Sequence, residues 1–87
     1  MRIVQLAGLK VGLRRFLAEK TSAAVELVWD VDENHLDIKS GRRGMDITFP
    51  PDAMNEEGDP LTDEEKQDIV DKLQVIVDEH NNNITEE

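Results

Sequence analysis

The apolar residues of this chain follow two different periods, and the change between them separates helices from strands. Near the N-terminus they recur at steps of three and four residues, at Leu6, Leu9, Leu13, Phe16 and Leu17. This period is typical of a helix that buries one stripe, and it predicts a helix over residues 5–19. Gly8 and Gly12 interrupt that helix, which indicates close packing of its backbone against a neighbouring element.

After residue 20 the period changes to two, which is the repeat of a strand with one buried face. Three short stretches alternate in this way, with inward positions at Val25, Leu27, Trp29 and Val31, then Leu36 and Ile38, then Met45, Ile47 and Phe49. Turn-forming residues at 32–34 and 40–44 separate them. Pro50-Pro51 ends the third stretch because proline cannot donate to a strand ladder. The pattern therefore predicts a three-stranded antiparallel meander.

A polar loop over residues 50–61 leads into a second helical pattern. Thr62-Asp63-Glu64-Glu65 has the form of a capping box, in which Thr62 and Glu65 satisfy each other's backbone N–H groups. One apolar stripe then runs to about His80, through Ile69, Val70, Leu73, Ile76 and Val77. We expect an α+β fold of order α-β-β-β-α with both helices packed on one face of the sheet. It forms a single domain over residues 1–80, followed by a frayed tail over residues 81–87.

Charge is distributed very unevenly along the 87 residues. Residues 1–20 carry five basic side chains and one acidic, a net charge of +4. Residues 46–87 carry fourteen carboxylates and two lysines, a net charge of −12. An acidic surface can serve solubility alone. This concentration costs more self-repulsion than solubility requires, and it favours recognition of a basic partner.

Several classes of chemistry are disfavoured by what the sequence lacks. The absence of cysteine excludes disulfides, thiolate catalysis and the usual zinc fingers, and it fits a cytoplasmic protein. No apolar run approaches the roughly 20 residues that span a bilayer. His35 and His80 have no nucleophile motif beside them, and we expect both to be surface or capping residues. We predict a protein with no catalytic residues, no cofactor and no enzymatic activity.

The segment Asp30-Val31-Asp32-Glu33-Asn34 begins like a calcium-binding loop. The sixth position of such a loop needs glycine and the twelfth a bidentate glutamate, but this chain has His35 and Gly41 there. A polar hairpin turn explains the same residues, and we predict no metal site.

The loop over residues 50–61, which we call the acidic loop, and the start of the second helix form the predicted partner-binding surface. Its residues are Asp52, Met54, Glu56, Glu57, Asp59, Asp63, Glu64, Asp68 and Asp71. The carboxylates would stand in for nucleic-acid phosphates in the basic site of a toxin, a nuclease or a nucleic-acid-handling complex, and Met54 and Leu61 would supply apolar anchors. Direct binding of nucleic acid is disfavoured, because the acidic field of the protein repels phosphate.

The first helix offers an alternative docking patch at Lys10, Arg14 and Arg15. In that alternative the chain is a small subunit or adaptor that docks on an acidic partner. The basic first helix of one copy can also contact the acidic second helix of another, so the sequence does not decide whether the chain forms a homodimer. Cations near a helix C-terminus complement its dipole as well, and this local role competes with a binding role.

The C-terminal half of the chain resembles small acidic bacterial immunity proteins of polymorphic toxin systems. The resemblance lies in Ile47-Thr48-Phe49-Pro50-Pro51, then Pro60-Leu61-Thr62-Asp63-Glu64-Glu65-Lys66, then Ile69-Val70. It implies a binding protein that blocks a cognate toxin and has no chemistry of its own. A phage-type inhibitor that acts on a defence nuclease by DNA mimicry is physically alike, and the sequence does not separate the two.

Overall fold

The computed structural model describes residues 2–20 and 23–85, with two helices and five strands among them. The elements are β1 (Arg2–Ile3), α1 (Leu6–Lys20), β2 (Glu26–Asp30), β3 (His35–Ser40), β4 (Arg43–Thr48), β5 (Ala53–Met54) and α2 (Asp63–Thr85). The antiparallel sheet has the order β2-β3-β4, and β1 pairs with β5 in parallel. The predicted α+β class is confirmed, with a three-stranded meander between an N-terminal and a C-terminal helix.

The register of the meander places the apolar side chains on one face. On the central strand, Leu36 lies between Trp29 of β2 and Ile47 of β4, and Ile38 lies between Leu27 and Met45 in the same way. Both central residues are fully buried. The Trp29 ring meets the Phe49 ring edge to face, with centroids 5.5 Å apart. This face is the sheet's side of the hydrophobic core.

Strand β2, the first strand of the meander, ends one residue earlier than the alternation predicts. Val31 was expected to point inward, and this is wrong, because β2 ends at Asp30 and Val31 is 52% exposed in the following turn. The Asp30 carboxylate accepts hydrogen bonds from the backbone N–H groups of Asp32 and Glu33, and so turns the chain at that point. Asn34 completes the turn with φ 52°, a left-handed conformation that asparagine tolerates.

The two helices contribute to one core against the inward face of the sheet. Leu13 and Leu17 come from α1, and the apolar stripe of α2 supplies Ile69, Val70, Leu73, Ile76 and Val77. The second helix contacts both α1 and β2. Within residues 2–20 and 23–85, neither helix combines the length and the apolar character needed to cross a lipid bilayer.

The C-terminal helix is longer than predicted. Its expected end near His80 is wrong, because α2 continues to Thr85. The Asn81 side chain holds this part of the helix in place through two hydrogen bonds. Its oxygen accepts from the Val25 N–H at 2.8 Å, and its nitrogen donates to the Val25 carbonyl at 2.9 Å. This pair ties the helix to the chain just before β2. Residues 81–85 of the predicted tail are therefore helical, and residues 86 and 87 lie outside the described part.

The acidic loop contains a strand that the sequence pattern missed. Ala53 and Met54 of β5 pair with Arg2 and Ile3 of β1, and the Val4 N–H donates to the Met54 carbonyl at 2.9 Å. A two-residue strand is too short to show any periodicity. The pairing brings the N-terminal segment against the loop, and this contact shapes the site described below.

The interpretation of Gly8 and Gly12 as close-packing positions is wrong, since both are exposed and a Cβ built at either meets no neighbouring atom within 4 Å.

Alanine at both positions is therefore expected to raise the free energy of unfolding by about 1 kcal/mol per site, measured by urea denaturation. Gly44→Ala is the control, because its Cβ would lie 3.2 Å from the Ile38 carbonyl oxygen and brings no such gain. An unchanged stability of the helix variants would contradict this prediction.

Candidate functional site

The capping box at the start of α2 forms as predicted. The Glu65 N–H donates to the Thr62 hydroxyl oxygen at 3.1 Å, and the Thr62 N–H donates to one Glu65 carboxylate oxygen at 3.1 Å. The Lys66 N–H then donates to the Thr62 carbonyl at 3.0 Å, which begins the helical ladder. The first turn of α2 is therefore fixed relative to the end of the acidic loop.

Asn55 organises the acidic loop. Its side-chain oxygen accepts from the backbone N–H groups of Glu57 and Asp59 at 3.0 and 2.9 Å, and its side-chain nitrogen donates to the second Glu65 oxygen at 3.0 Å. Gly58 permits the turn with φ 89°. The Glu65 carboxylate thus joins the loop to the helix, with one oxygen on Thr62 and the other on Asn55.

A groove of about 370 Å³ lies between this loop, the segment before α1 and the first turns of α2; we call it the acidic groove. Its lining consists of Val4, Leu6, Asn55, Glu56, Glu57, Leu61, Thr62, Glu64, Glu65, Asp68, Ile69 and Lys72. The apolar members are buried or half-buried, whereas all the carboxylates except half-buried Glu65 are exposed. The groove therefore has an apolar floor and an acidic rim.

The structure brings four of the predicted partner-binding residues together at this groove, namely Glu56, Glu57, Glu64 and Asp68. Leu61, predicted as an apolar anchor, also lines it. Met54 does not, because it is half-buried in β5, where it pairs with Ile3. Four other predicted residues are exposed outside the lining: Asp52, Asp59, Asp63 and Asp71.

Seven lining residues were absent from the predicted partner-binding surface, namely Val4, Leu6, Asn55, Thr62, Glu65, Ile69 and Lys72. Asn55 had a recognisable signal, since asparagine before a glycine-containing turn commonly accepts hydrogen bonds from the backbone that follows. Val4 and Leu6 had none, because they reach the groove through the pairing of β1 with β5, which brings together residues far apart in the chain.

The two lysines of the acidic half have different surroundings. Lys72 lines the groove and lies 2.8 Å from the Asp68 carboxylate, in an exposed pair that contributes at most about 1 kcal/mol to stability. The Lys66 side chain is only 14% exposed and donates to the Asn34 side chain at 2.9 Å, in the turn between β2 and β3. Among the described lining residues, five carboxylates therefore face a single lysine.

The alternative patch on α1 stands apart from the groove. Arg14 and Arg15 are exposed, and Lys10 is half-buried. None of the three lines the acidic groove. The structure therefore places these three basic residues outside the lining of the acidic groove.

The hydrogen bonds to Glu65 have a measurable consequence. The Thr62 N–H and the Asn55 amide donate to its carboxylate, and they lower the pKa of Glu65 below its ordinary value, against a smaller opposing effect of burial. A lowered folded pKa stabilises the fold above the unfolded pKa of about 4.3, and this contribution is lost as the pH falls through the folded value.

Glu65→Gln is therefore expected to destabilise the protein at neutral pH, with a difference from wild type that shrinks below about pH 4.3. Urea midpoints measured from about pH 7 to about pH 3.5 test this, with exposed Glu64→Gln as the control. A Glu65→Gln difference that stays constant over this range would refute the proposed linkage.

The groove offers charge and apolar area. Of the described residues that line it, none is a histidine, cysteine or serine, and the Thr62 hydroxyl already accepts a hydrogen bond from Glu65. An apolar floor inside a charged rim is the arrangement by which protein interfaces exclude water around an anchor side chain.

Comparison of the chain with protein-family models, with curated proteins and with solved structures finds no match.

Proposed function

We propose that this chain is a non-enzymatic inhibitor that binds a basic segment of a partner protein in the acidic groove. The observation that carries the proposal is the position of four exposed carboxylates around a floor of Val4, Leu6, Leu61 and Ile69. A partner segment with lysine or arginine beside one apolar side chain matches both parts of this surface.

The proposed mechanism is electrostatic attraction of the partner, followed by burial of the partner's apolar side chain on the floor of the groove. With a net charge of −10 the chain attracts a basic site over a distance, which accelerates association at low salt. The carboxylates then occupy the positions that nucleic-acid phosphates would take, so the partner loses access to its substrate. A cytoplasmic toxin or nuclease is the proposed partner, in agreement with the resemblance to immunity proteins. A phage-type inhibitor of a defence nuclease would use the same contacts.

A small subunit or adaptor is the second candidate function. It is favoured by exposed Arg14 and Arg15 on α1, near Val11, which is 55% exposed on the same helix. Such a surface suits an acidic partner with an apolar contact, or the acidic helix of a second copy.

Affinity capture tests the proposal. The tagged chain is incubated with a lysate of its own host, washed at low and then at high salt, and each eluted protein is purified and assayed for nucleic-acid binding or cleavage. We expect a basic protein that salt releases and whose activity the chain blocks. Capture of an acidic or neutral assembly that resists salt would contradict the inhibitor and favour the subunit. The absence of any captured protein would contradict both.

A further inference from the structure

The outward face of the sheet carries a cluster of metal-ligating side chains outside the acidic groove. His35 and Asp37 stand two residues apart on β3 and therefore share a face. Asp46 of β4 lies directly opposite Asp37. One ligand atom from each of the three lies within 4.8 Å of the others, and His35 Nε2 is 3.8 Å from Asp46 Oδ2.

Two facing carboxylates on adjacent strands repel each other when nothing lies between them. Lys39 balances part of this charge, since its Nζ lies 3.2 Å from Asp37 Oδ2. The Lys39 side chain is 62% exposed and can turn into solvent, whereas that of Asp37 is only 27% exposed. A divalent cation between Asp37 and Asp46 would neutralise the pair more fully than this lysine does.

We propose that His35, Asp37 and Asp46 bind a divalent transition-metal cation, with Zn²⁺ the best match. An imidazole nitrogen with two carboxylate oxygens suits zinc, whereas calcium and magnesium prefer oxygen ligands throughout. Three protein ligands would leave a fourth position for water.

The pairing of β3 with β4 favours this site because it fixes the backbone positions of the three ligand residues. Ligands bonded at about 2.1 Å to a tetrahedral zinc lie about 3.4 Å apart. The observed separations are at most 4.8 Å, so side-chain rotation would need to shorten them by at most about 1.4 Å while the paired strands stay in place. The neighbouring calcium-like segment is not part of this cluster, and Asp30 Oδ1 accepts hydrogen bonds from the Asp32 and Glu33 N–H groups.

Titration of the full chain with Co²⁺, followed by visible absorption and by displacement with Zn²⁺, tests the proposal. We expect one saturable site, and Zn²⁺ at about 100 times its dissociation constant should raise Tm by roughly 15 °C. His35→Gln and Asp46→Asn should each weaken binding at least about tenfold. His80→Gln is the matched control and should bind as wild type does.

Lys39→Met gives a second test in which binding improves. Removal of the competing ammonium group should tighten Zn²⁺ binding several-fold. Lys72→Met changes the net charge equally at a distant site and should not. The proposal is overturned if His35→Gln binds like wild type, if titration shows no saturable site, or if both lysine variants bind alike. Ca²⁺ binding that equals Zn²⁺ binding would also overturn it, because it would indicate general attraction to carboxylates.

Discussion

Lysine in place of the four exposed carboxylates that line the acidic groove is expected to abolish partner binding while the domain stays folded. The substitutions are Glu56→Lys, Glu57→Lys, Glu64→Lys and Asp68→Lys, all at exposed positions. Like charges brought together at an interface cost several kcal/mol, and about 1.4 kcal/mol is a factor of ten in affinity. We therefore expect a loss of at least about 100-fold in the affinity for the captured partner, measured by titration calorimetry.

A matched variant separates the groove from net charge. Lysine at Glu19, Asp32, Glu33 and Glu79 changes four exposed carboxylates outside the lining. Both variants change the net charge from −10 to −2. The control is expected to associate more slowly but to keep most of its affinity, because long-range steering acts mainly on the association rate. Equal losses in the two variants would show that general charge, and not the groove, binds the partner.

Leu73→Ala is expected to bring the domain close to unfolding. Leu73 is completely buried at the centre of the α2 stripe, in the core shared by both helices and the sheet. Truncation of such a leucine costs about 2–5 kcal/mol, because apolar contacts are lost and a cavity is left behind. A chain of 87 residues has a total stability of roughly 4–13 kcal/mol. The urea midpoint, followed by circular dichroism, should fall steeply.

Val75→Ala on the same helix is the control. Its side chain is 54% exposed, and surface substitutions usually change stability by less than about 0.5 kcal/mol. Comparable losses at Leu73 and Val75 would mean that α2 does not bury the face described above.

Periodicity predicted the long elements well, because each buries one face along its whole length. The stripe from Leu6 to Leu17 and the capping box at Thr62 determine where helices form, and both signals are local. The predicted end of a helix was wrong where a single tertiary contact determines how far that helix extends. The extension of α2 past His80 accompanies the bonds of Asn81 to Val25, 56 residues away along the chain. No local pattern contains that information.

The candidate site was predictable only in the part that the acidic loop and the start of α2 supply, including the apolar anchor Leu61. Glu56, Glu57, Glu64 and Asp68 are close in sequence, so their charges were visible as a run. The apolar floor combines that run with Val4 and Leu6, which arrive through a two-residue strand pair. The His35 cluster likewise required the register of β3 against β4, since Asp46 is eleven residues further along the chain.

The central claim, that a basic partner docks in the acidic groove, is tested most directly by amide chemical shifts of the ¹⁵N-labelled chain with and without the captured partner. We predict that the changes concentrate at the groove, from Leu6 through Glu56 and Leu61 to Ile69. The outward faces of α1 and of the sheet should change little. Changes centred on Lys10, Arg14 and Arg15 would contradict the claim and would place the interface on the basic helix.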